Sequence, residues 1–472
     1  MIAIDHDITP KDLTDGLDRL WKISAKSIGL LKDRWDPASG TPVFTQAGTY
    51  TSRGWTEWTQ GFQYGCALLL FEATGEERWL DYGREETLKR MAPHVTHIGV
   101  HDHGFNNVST YGNLLRMMAE GTIPEDAWQR EYYELALKLS GAVQASRWTP
   151  LPDGIGYVCS FNGAHSLFSD TIRTMRALAV GHQLGHVLMG EQDEKISLLR
   201  RLLQHAEATA RYNVYFGGSP EGSGRDAYDI RGRVVHESIF NVDSGAYRCP
   251  STQQGYSPFT TWTRGHSWVV AGYPEELEWL DTLTDADIQA SGYGVSRVAD
   301  VRERFVEVAR AAADFYIEQT PTDGIPYWDT GAPGLAKMGD YLDRPADPFN
   351  EHEPADSSSA AISAQGLIRL GRYLAAHGDE EAGRRYTQTG LTVAKTLLDD
   401  PYLSTNEKHE GILLHTVYHR PNGWDYVAPG QKVPNGESAM WGDYHLMELG
   451  LMLARMAEGG EPQRFFDIGR RS

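Results

Sequence analysis

Three things are scarce in this sequence: cysteine, long apolar runs and positive charge. Only Cys66, Cys159 and Cys249 occur among the 472 residues, far apart and without CxxC spacing. This rules against a disulfide framework or a zinc ribbon and is typical of a reducing compartment. No run of 18 apolar residues is present, so we expect no membrane span. The first residues, Met1 to Asp7, lack the basic and apolar regions of a signal peptide, and we expect a cytoplasmic protein.

The balance of charge narrows the classes of partner. Lysine and arginine number 44 against 64 aspartates and glutamates, which gives a formal net charge of −20. Nucleic acid and anionic membrane surfaces require clustered basic residues, so we expect neither as a partner. A small acidic ligand stays open, because one arginine can bind a carboxylate whatever the total charge. The sequence leaves the oligomeric state open.

Aromatic residues, by contrast, are abundant. The chain has 13 tryptophans and 23 tyrosines, and 40% of its residues are hydrophobic, enough for a large core. Aromatic rings that also form hydrogen bonds suit the flat apolar faces of sugars, although they can equally fill a core.

Apolar residues recur at helical spacing along most of the chain, as at Leu13, Leu17, Leu20 and Trp21. This periodicity predicts an all-α chain with short β segments in its long loops. The twelve predicted helices span residues 11–31, 60–73, 76–91, 106–120, 125–146, 170–189, 191–213, 264–281, 299–319, 357–376, 379–398 and 438–456.

Three joints between predicted helices share one pattern. A glycine (Gly75, Gly190 or Gly378) ends one helix, and acidic residues open the next. Glycine accepts the left-handed conformation that ends a helix, and acids suit a helix N-terminus. Short turns of this kind make antiparallel neighbours. Their irregular spacing favours a closed ring over a solenoid, with six hairpins forming an inner and an outer circle in a single domain, 1–472.

In such a ring, every second helix starts at the same end. The six starts at that end follow clusters rich in Trp, Asp, Arg, His and Ser, whereas the other starts are plain acidic caps. The clusters are Trp55-Thr-Glu-Trp58, His101-Asp-His-Gly-Phe105, Phe168-Ser-Asp170, Trp262-Thr-Arg264-Gly-His266-Ser-Trp268, Ala355-Asp356-Ser-Ser-Ser359 and Gly436-Glu-Ser438-Ala-Met-Trp441. We therefore predict the functional site at this mouth.

Two long loops, 214–261 and 401–437, interrupt the helices. Each contains a predicted strand, Val234 to Phe240 and Ile412 to Tyr418, and a third strand-like run, Val95 to Val100, precedes His101. Long aromatic-rich loops in a compact domain are usually functional. The glycine-rich stretch 217–224 matches neither a P-loop nor a dinucleotide fingerprint, and we expect no cofactor.

Asp102 and Asp170 are the acids set most plainly in the mouth clusters. Each could be only an N-cap. Alternatively, two carboxylates in an aromatic pocket can have pKa values pushed apart, which leaves one protonated as a general acid. We predict catalytic roles for both, since the sequence has no Gly-x-Ser-x-Gly motif and no cysteine paired with histidine.

The histidines His101, His103, His236 and His266 raise the question of a metal site. No His-Glu-x-x-His or Cys-His set occurs, so we predict no metal. His236 and His266 are better explained as hydrogen-bond donors to a ligand or a neighbour. Arg264 lies between two tryptophans and suits a ligand carboxylate, or else an ordinary ion pair.

Together, these clusters resemble those of a known family, the unsaturated glucuronyl hydrolases of glycoside hydrolase family 88, and more distantly the unsaturated rhamnogalacturonyl hydrolases of family 105. The segments that carry the resemblance are Trp58-Thr-Gln-Gly-Phe62, His101-Asp-His-Gly-Phe105, Asp170-Thr-Ile-Arg-Thr-Met175, Gln254-Gly-Tyr-Ser257, Thr261-Trp-Thr-Arg-Gly-His-Ser-Trp268, Asp356-Ser-Ser-Ser-Ala-Ala361 and Trp441-Gly-Asp-Tyr444. Two features depart from the family: His266 stands where glutamine is usual, and the segment 274–300 looks inserted.

The resemblance implies an (α/α)6 barrel, in agreement with the twelve helices. It implies that Asp170 is the proton donor and water activator and that Asp102 is the second essential carboxylate. The residues that it assigns to substrate binding are Trp58, His101, His236, Gln254, Arg264, Trp268 and Ser438.

The resulting hypothesis is an enzyme that removes a 4,5-unsaturated uronic acid from the non-reducing end of lyase-made oligosaccharides, by hydration of the double bond. Two alternatives stay open. A sugar epimerase or isomerase on a similar ring would use a pair of histidines. A non-catalytic sugar-binding protein would need the aromatic residues and arginine but neither carboxylate.

Overall fold

The helices of the protein lie in two concentric rings. The computed structural model describes residues 1–54, 57–218 and 229–469. Its helices are α1 (Thr14–Arg34), α2 (Gln60–Thr74), α3 (Glu77–Arg90), α4 (Ala92–Val95), α5 (His103–Asn106), α6 (Asn113–Ala119), α7 (Ala127–Ser146), α8 (Thr171–Thr174), α9 (Arg176–Gln183), α10 (Leu198–Tyr212), α11 (Thr263–Leu280), α12 (Asp285–Ser291), α13 (Val298–Glu318), α14 (Ser357–Ala376), α15 (Glu380–Leu397) and α16 (Met440–Ala457).

The inner ring closes on itself. It runs from α2 through the α5–α6 and α8–α9 pairs to α11, α14 and α16, and α16 packs back against α2. The long inner helices are buried on nearly every face; in α14, for instance, 17 of the first 18 residues, Ser357 to Leu374, are buried. A helix that is hydrophobic all round must be enclosed, which is why these helices occupy the inside. The predicted (α/α)6 barrel is confirmed.

The outer ring consists of α1, α3, α7, α10, α13 and α15, each packed on an inner helix. These helices alternate buried and exposed residues at helical spacing, so each turns one face to the core. The larger hydrophobic cluster extends from Ile2 to Ile468, and a smaller one includes Leu151, Tyr157 and Phe240. The single domain stays a prediction. In the described part of the chain, no helix is long and apolar enough to cross a membrane.

Glycines let neighbouring inner helices approach at the mouth. A Cβ on Gly61 would lie 2.3 Å from the carbonyl oxygen of Asn106, and one on Gly104 would lie 2.3 Å from that of Thr174. No real Cβ occupies such a position, since atoms at this distance overlap. The spacing between these helix starts therefore depends on glycine.

Two of the three predicted glycine joints are correct. Gly75 (φ 70°) and Gly378 (φ 91°) both adopt the left-handed conformation that ends a helix. The prediction at Gly190 is wrong, because helix α9 ends at Gln183 and the left-handed glycine is Gly185. A β-hairpin comes next in the chain, and its turn is closed by left-handed residues at positions 192 and 193.

The strands are short and lie in the connections between helices. They are β1 (Phe44–Gln46), β2 (Thr49–Thr51), β3 (Trp148–Pro150), β4 (Gly156–Val158), β5 (Ser166–Phe168), β6 (Val187–Met189), β7 (Lys195–Ser197), β8 (Glu237–Phe240) and β9 (Tyr247–Ser251). The largest sheet has three antiparallel strands in the order β5-β8-β9, with Phe168 opposite Glu237.

The strand predictions are only partly correct. The run Val95 to Val100 is not a strand, because Val95 ends helix α4 and a turn follows it. The predicted helix after it begins as α5 and then widens into a π-helical turn, Val108–Gly112. Ile412 to Tyr418 forms only isolated bridges, and within 234–240 the strand is β8 alone. Most of the glycine-rich stretch 217–224 lies outside the described residues.

Candidate active site

A pocket opens among the starts of the inner helices. Its volume is about 840 Å³, counted out to its mouth. The lining residues are Trp58, Val100, His101, Asp102, Phe105, Phe161, Asp170, Gln253, Gln254, Trp262, Arg264, Trp268, Tyr418, His419, Asn422 and Trp424. Seven of the nine predicted site residues are among them.

Asp102 and Asp170 occupy the N-cap positions of α5 and α8, yet neither carboxylate caps its helix. Their side chains lie in the pocket wall and are only 7% and 8% exposed. For an aspartate, an N-cap position without a capping bond gives up about 1 kcal/mol of helix stabilisation. The structure therefore rejects the interpretation of both residues as simple caps.

His101 lies between the two carboxylates. Its Nε2 is 3.5 Å from Oδ1 of Asp170 and 3.9 Å from Oδ1 of Asp102. The ring stacks on Phe161 and meets the edge of Phe168. Neither ring nitrogen has a hydrogen-bond partner among the described residues. Burial lowers the pKa of His101, but the charges of Asp102 and Asp170 outweigh that effect and raise it.

The pKa values of the two carboxylates are pushed in opposite directions. Burial raises the pKa of Asp102, and the charge of Asp170 adds to this increase. Burial also raises the pKa of Asp170, but the combined effects of His101, His236 and Arg264 outweigh it, and the net shift is downward. Without substrate, Asp102 therefore keeps its proton to a higher pH than Asp170.

His236 lies behind the pocket wall rather than in it. Its Nδ1 accepts hydrogen bonds from the backbone N–H groups of Gln253 (3.1 Å) and Gln254 (3.4 Å), which places the proton of the neutral ring on Nε2. That nitrogen is buried without a hydrogen-bond partner in the described chain. Burial lowers the pKa of His236 to about 4. The ring is thus a neutral support for the loop that carries Gln254.

Arg264 is held in a stack of aromatic rings. Its guanidinium carbon lies 4.7 Å from the ring centre of Trp262 and 4.4 Å from that of Trp441. Its Nη2 donates to Oε1 of Gln254 (3.1 Å) and to the carbonyl of Tyr418 (2.6 Å). A buried guanidinium held in this way is preorganised, and its role as the binding group for a ligand carboxylate stays a prediction.

Trp58 and Trp268 supply apolar surface on the pocket wall. Trp58 stacks on Trp441 at 5.1 Å, so it continues the aromatic stack that holds Arg264. Trp268 packs against Phe105 at 4.8 Å. Flat indole faces beside a cation suit a sugar ring that bears a carboxylate.

Ser438 does not reach the pocket, and we withdraw it as a substrate contact. Its side chain is fully buried, and its hydroxyl donates to Oδ1 of Asp443 at 2.6 Å. The same oxygen also accepts from the backbone N–H groups of Ile412 and Leu413. Ser438 therefore helps to fix the 401–437 loop on α16.

His266 is likewise absent from the pocket lining. Its ring is buried against Phe315 and Tyr316 of the outer helix α13. Burial lowers its pKa to about 4, so it is a neutral packing residue. Of the two roles predicted for it, contact with a neighbour is the one that its position fits.

One wall of the pocket comes from residues that the sequence did not single out. Tyr418, His419, Asn422 and Trp424 all belong to the 401–437 loop. Asp425 holds this wall, because its carboxylate accepts from the backbone N–H groups of Tyr418 (2.5 Å) and His419 (3.1 Å). The aromatic content of the loop was the available signal, but helical spacing and helix starts could not locate these residues.

A metal site has no support in the part of the chain that the structure describes. There, no three His, Cys, Asp or Glu side chains converge to hold an ion. His103, next to Asp102, is instead bonded to Ser140 and to the carbonyl of His97.

Comparison with known proteins bears directly on this pocket. No model of a known protein family matches the chain. It is 25% identical to an unsaturated glucuronyl hydrolase of Bacillus sp. (strain GL1) over 93% of this chain and 95% of that protein. It is 21% identical to an unsaturated chondroitin disaccharide hydrolase of Streptococcus pyogenes serotype M1, with 93% and 91% covered.

A solved structure of unsaturated glucuronyl hydrolase from Bacillus sp. GL1 superposes with a TM-score of 0.67, at 21% identity, over 96% of this chain and 99% of that one. The predicted resemblance is confirmed. The relatives also confirm the prediction of an enzyme of the glycoside hydrolase class. They leave the role of each pocket residue to be tested.

Proposed function

We propose that the chain is a hydrolase that removes a 4,5-unsaturated uronic acid from the non-reducing end of an oligosaccharide. The observation that carries this proposal is the pair of buried carboxylates, Asp102 and Asp170, released from helix capping and set in the same pocket as the preorganised guanidinium of Arg264. An acid–base pair beside an anion site suits proton transfer to an unsaturated uronate.

The relatives support the substrate class. One is named for unsaturated chondroitin disaccharides, and the superposed enzyme is described as responsible for the degradation of glycosaminoglycan. From these relatives we infer only that the substrate is an oligosaccharide with an unsaturated uronic acid. Nucleic acid and membranes are not among the proposed partners. A cytoplasmic location rests on the scarce, scattered cysteines and stays a prediction.

The reaction hydrates the C4=C5 double bond. A proton goes to C4 and a water oxygen goes to C5; the hemiketal that results opens and releases the remaining sugar. Asp170 is the proposed proton donor and water activator, and Asp102 is the second carboxylate. Arg264 binds the uronate carboxylate, Gln254 positions Arg264, and the indoles of Trp58 and Trp268 cover the ring.

The pKa of Asp170 must rise when substrate binds if Asp170 is to donate a proton. Without substrate, Asp170 is the more acidic carboxylate, partly because of the positive charge of Arg264. A bound uronate adds a negative charge at Arg264 and cancels part of that effect, so its arrival raises the pKa of Asp170. Asp102 holds its proton to a higher pH than Asp170 does in the free protein. Substrate binding is thus expected to narrow the difference between the pKa values of the two aspartates.

A reaction in heavy water tests the proposal. We expect deuterium on C4 of the released uronic acid from the first turnover, and no cleavage of a saturated glucuronide. Ordinary glycosidases attack at the anomeric carbon and leave the hydrogen on C4 unchanged. Release without deuterium at C4, or equal cleavage of the saturated sugar, would contradict hydration. If a carbon-bound hydrogen exchanges with solvent but no shorter sugar is released, the epimerase is favoured. If the wild-type protein turns over no substrate and Asp170→Asn binds the sugar as tightly as the wild type, the sugar-binding protein is favoured.

A further inference from the structure

The outer helix α7 carries an apolar stripe on its solvent face. Four large side chains point outward: Trp128 (82% exposed), Tyr132 (41%), Leu135 (54%) and Leu139 (39%). Their spacing of 4, 3 and 4 residues places them in one line about 16 Å long on a straight helix. We call these four residues the α7 stripe.

The other outer helices do not resemble α7 in this respect. The exposed residues of α3 are Glu77, Arg78, Asp81, Glu85, Leu88 and Lys89. Those of α15 are Glu380, Glu381, Arg384 and Lys395. On α7 the single exposed charged residue is Glu131. A contiguous apolar line on a chain of net charge −20 marks an interaction surface rather than ordinary solvent exposure.

We propose that the occupant of the α7 stripe is α7 of a second copy of this chain, packed antiparallel across a two-fold axis. The stripe is symmetric about the point midway between positions 133 and 134. A two-fold axis at that point places Trp128 against Leu139 of the second copy and Tyr132 against its Leu135. Spacing of three and four residues is the pattern by which two helices interlock, and a two-fold interface must be self-complementary in this way.

Charge on the flank of the stripe fits the same arrangement. Glu131 and Lys138 lie on one side of the stripe, seven residues apart. The two-fold axis brings Glu131 of each copy within about two residues of Lys138 of the other, so that two opposite-charge pairs border the apolar line. Within one chain, Lys138 is paired only loosely with Glu134, at 3.4 Å.

The position of the stripe is fixed by the core. The ring of Tyr132 lies 6.0 Å from that of Tyr111, which is fully buried, and Tyr133 on the opposite face is also buried. The helix therefore presents the stripe without rearrangement. One helix face per copy is smaller than the roughly 800 Å² per partner of a standard interface, so we expect a dimer that dissociates at micromolar concentration.

Sedimentation of the full chain tests this proposal. We expect a dimer at about 100 μM that dissociates on dilution towards 1 μM. Trp128→Glu and, separately, Leu135→Glu should raise the dissociation constant more than tenfold. Val242→Glu, at an apolar residue that is 57% exposed on another surface, should leave it unchanged. All three positions are exposed, and circular dichroism of each variant is the control for folding.

A charge exchange tests the two-fold axis itself. Glu131→Lys and Lys138→Glu should each weaken the dimer, and the double variant should restore it. A chain that stays monomeric at 200 μM would assign the stripe to another occupant and overturn the proposal. So would a dimer that tolerates both stripe substitutions, or a double variant that is weaker than either single one.

Discussion

The outer and inner helices begin with the same residue types, but these residues have different roles in the two rings. On the outer ring, Asp126, Ser197 and Asp379 each accept a hydrogen bond from a backbone N–H of the helix that they open. On the inner ring, Asp102 and Asp170 occupy the equivalent position and make no such bond. Sequence position alone does not tell an aspartate that caps a helix from one that lines a pocket.

Asp356 shows that both uses occur at the mouth. It caps α14 through Ser358 and also lies 3.9 Å from Nε of Arg264, so it stabilises the helix and supports the arginine. Asp102 and Asp170 instead face a histidine and the pocket. Under the proposed function, these two carboxylates act on the substrate and not on their helices. Substitutions at each kind of helix start test that distinction.

The largest effect is expected for Asp170→Asn. We expect kcat to fall by about 10² to 10⁴, because the amide cannot donate and recover a proton. The melting temperature should stay within about 2 °C, since no capping bond is lost. A variant that keeps more than half of the wild-type rate, with an unchanged circular dichroism spectrum, would return Asp170 to a structural role.

Asp102→Asn should also be severe, with a loss in kcat of about 10². The asparagine keeps the shape of the side chain but cannot ionise, so the pH profile of kcat should change form as well. Rate measurements from pH 4 to 9 on both variants provide the test. A uniform loss at every pH would mean that Asp102 only holds the substrate.

A smaller loss is expected for Arg264→Lys, roughly 10- to 100-fold in kcat/KM, because an ammonium group cannot reproduce the planar pair of donors. The loss should shrink for a substrate whose uronate is a methyl ester. If acid and ester lose equally, Arg264 acts through Asp356 or Gln254 rather than on the substrate.

The pH dependence should differ between these two substrates. The uronate anion raises the pKa of Asp170 in the complex, whereas the neutral ester does not. The loss of kcat as the donor gives up its proton should therefore come at a higher pH for the acid than for the ester. Coincident alkaline limbs would show that the uronate does not raise the pKa of Asp170.

The smallest effect belongs to an outer cap. Ser197→Ala removes the acceptor for the N–H of Arg200 and should destabilise the protein by about 1 kcal/mol, with kcat unchanged. Thermal unfolding and initial rates on one preparation test both halves of this expectation. Ser197→Ala is thus expected to lower stability and not kcat, whereas Asp170→Asn is expected to lower kcat and not stability.

The sequence predicted the ring and most of the pocket because both leave local signals. Apolar spacing locates the helices, and Asp102, Asp170 and Arg264 stand at helix starts. Other features depend on contacts between distant segments. The wall at Trp424 is held by Asp425 within a loop of no regular structure, and the hydroxyl of Ser438 turns to Asp443, which spacing cannot show. The predicted helix end at Gly190 is wrong because another glycine, Gly185, lies five residues earlier and adopts the left-handed conformation there.

Gly104 has a consequence for how such a pocket can diversify. It stands two residues after Asp102 and touches the backbone of Thr174, four residues after Asp170, so the gap between the two carboxylates is set by main-chain contact. The wall that faces them, by contrast, is a loop fastened by side chains. Changes in the loop can therefore reshape that wall of the pocket, while the spacing of the two helix starts, which main-chain contact holds, stays the same.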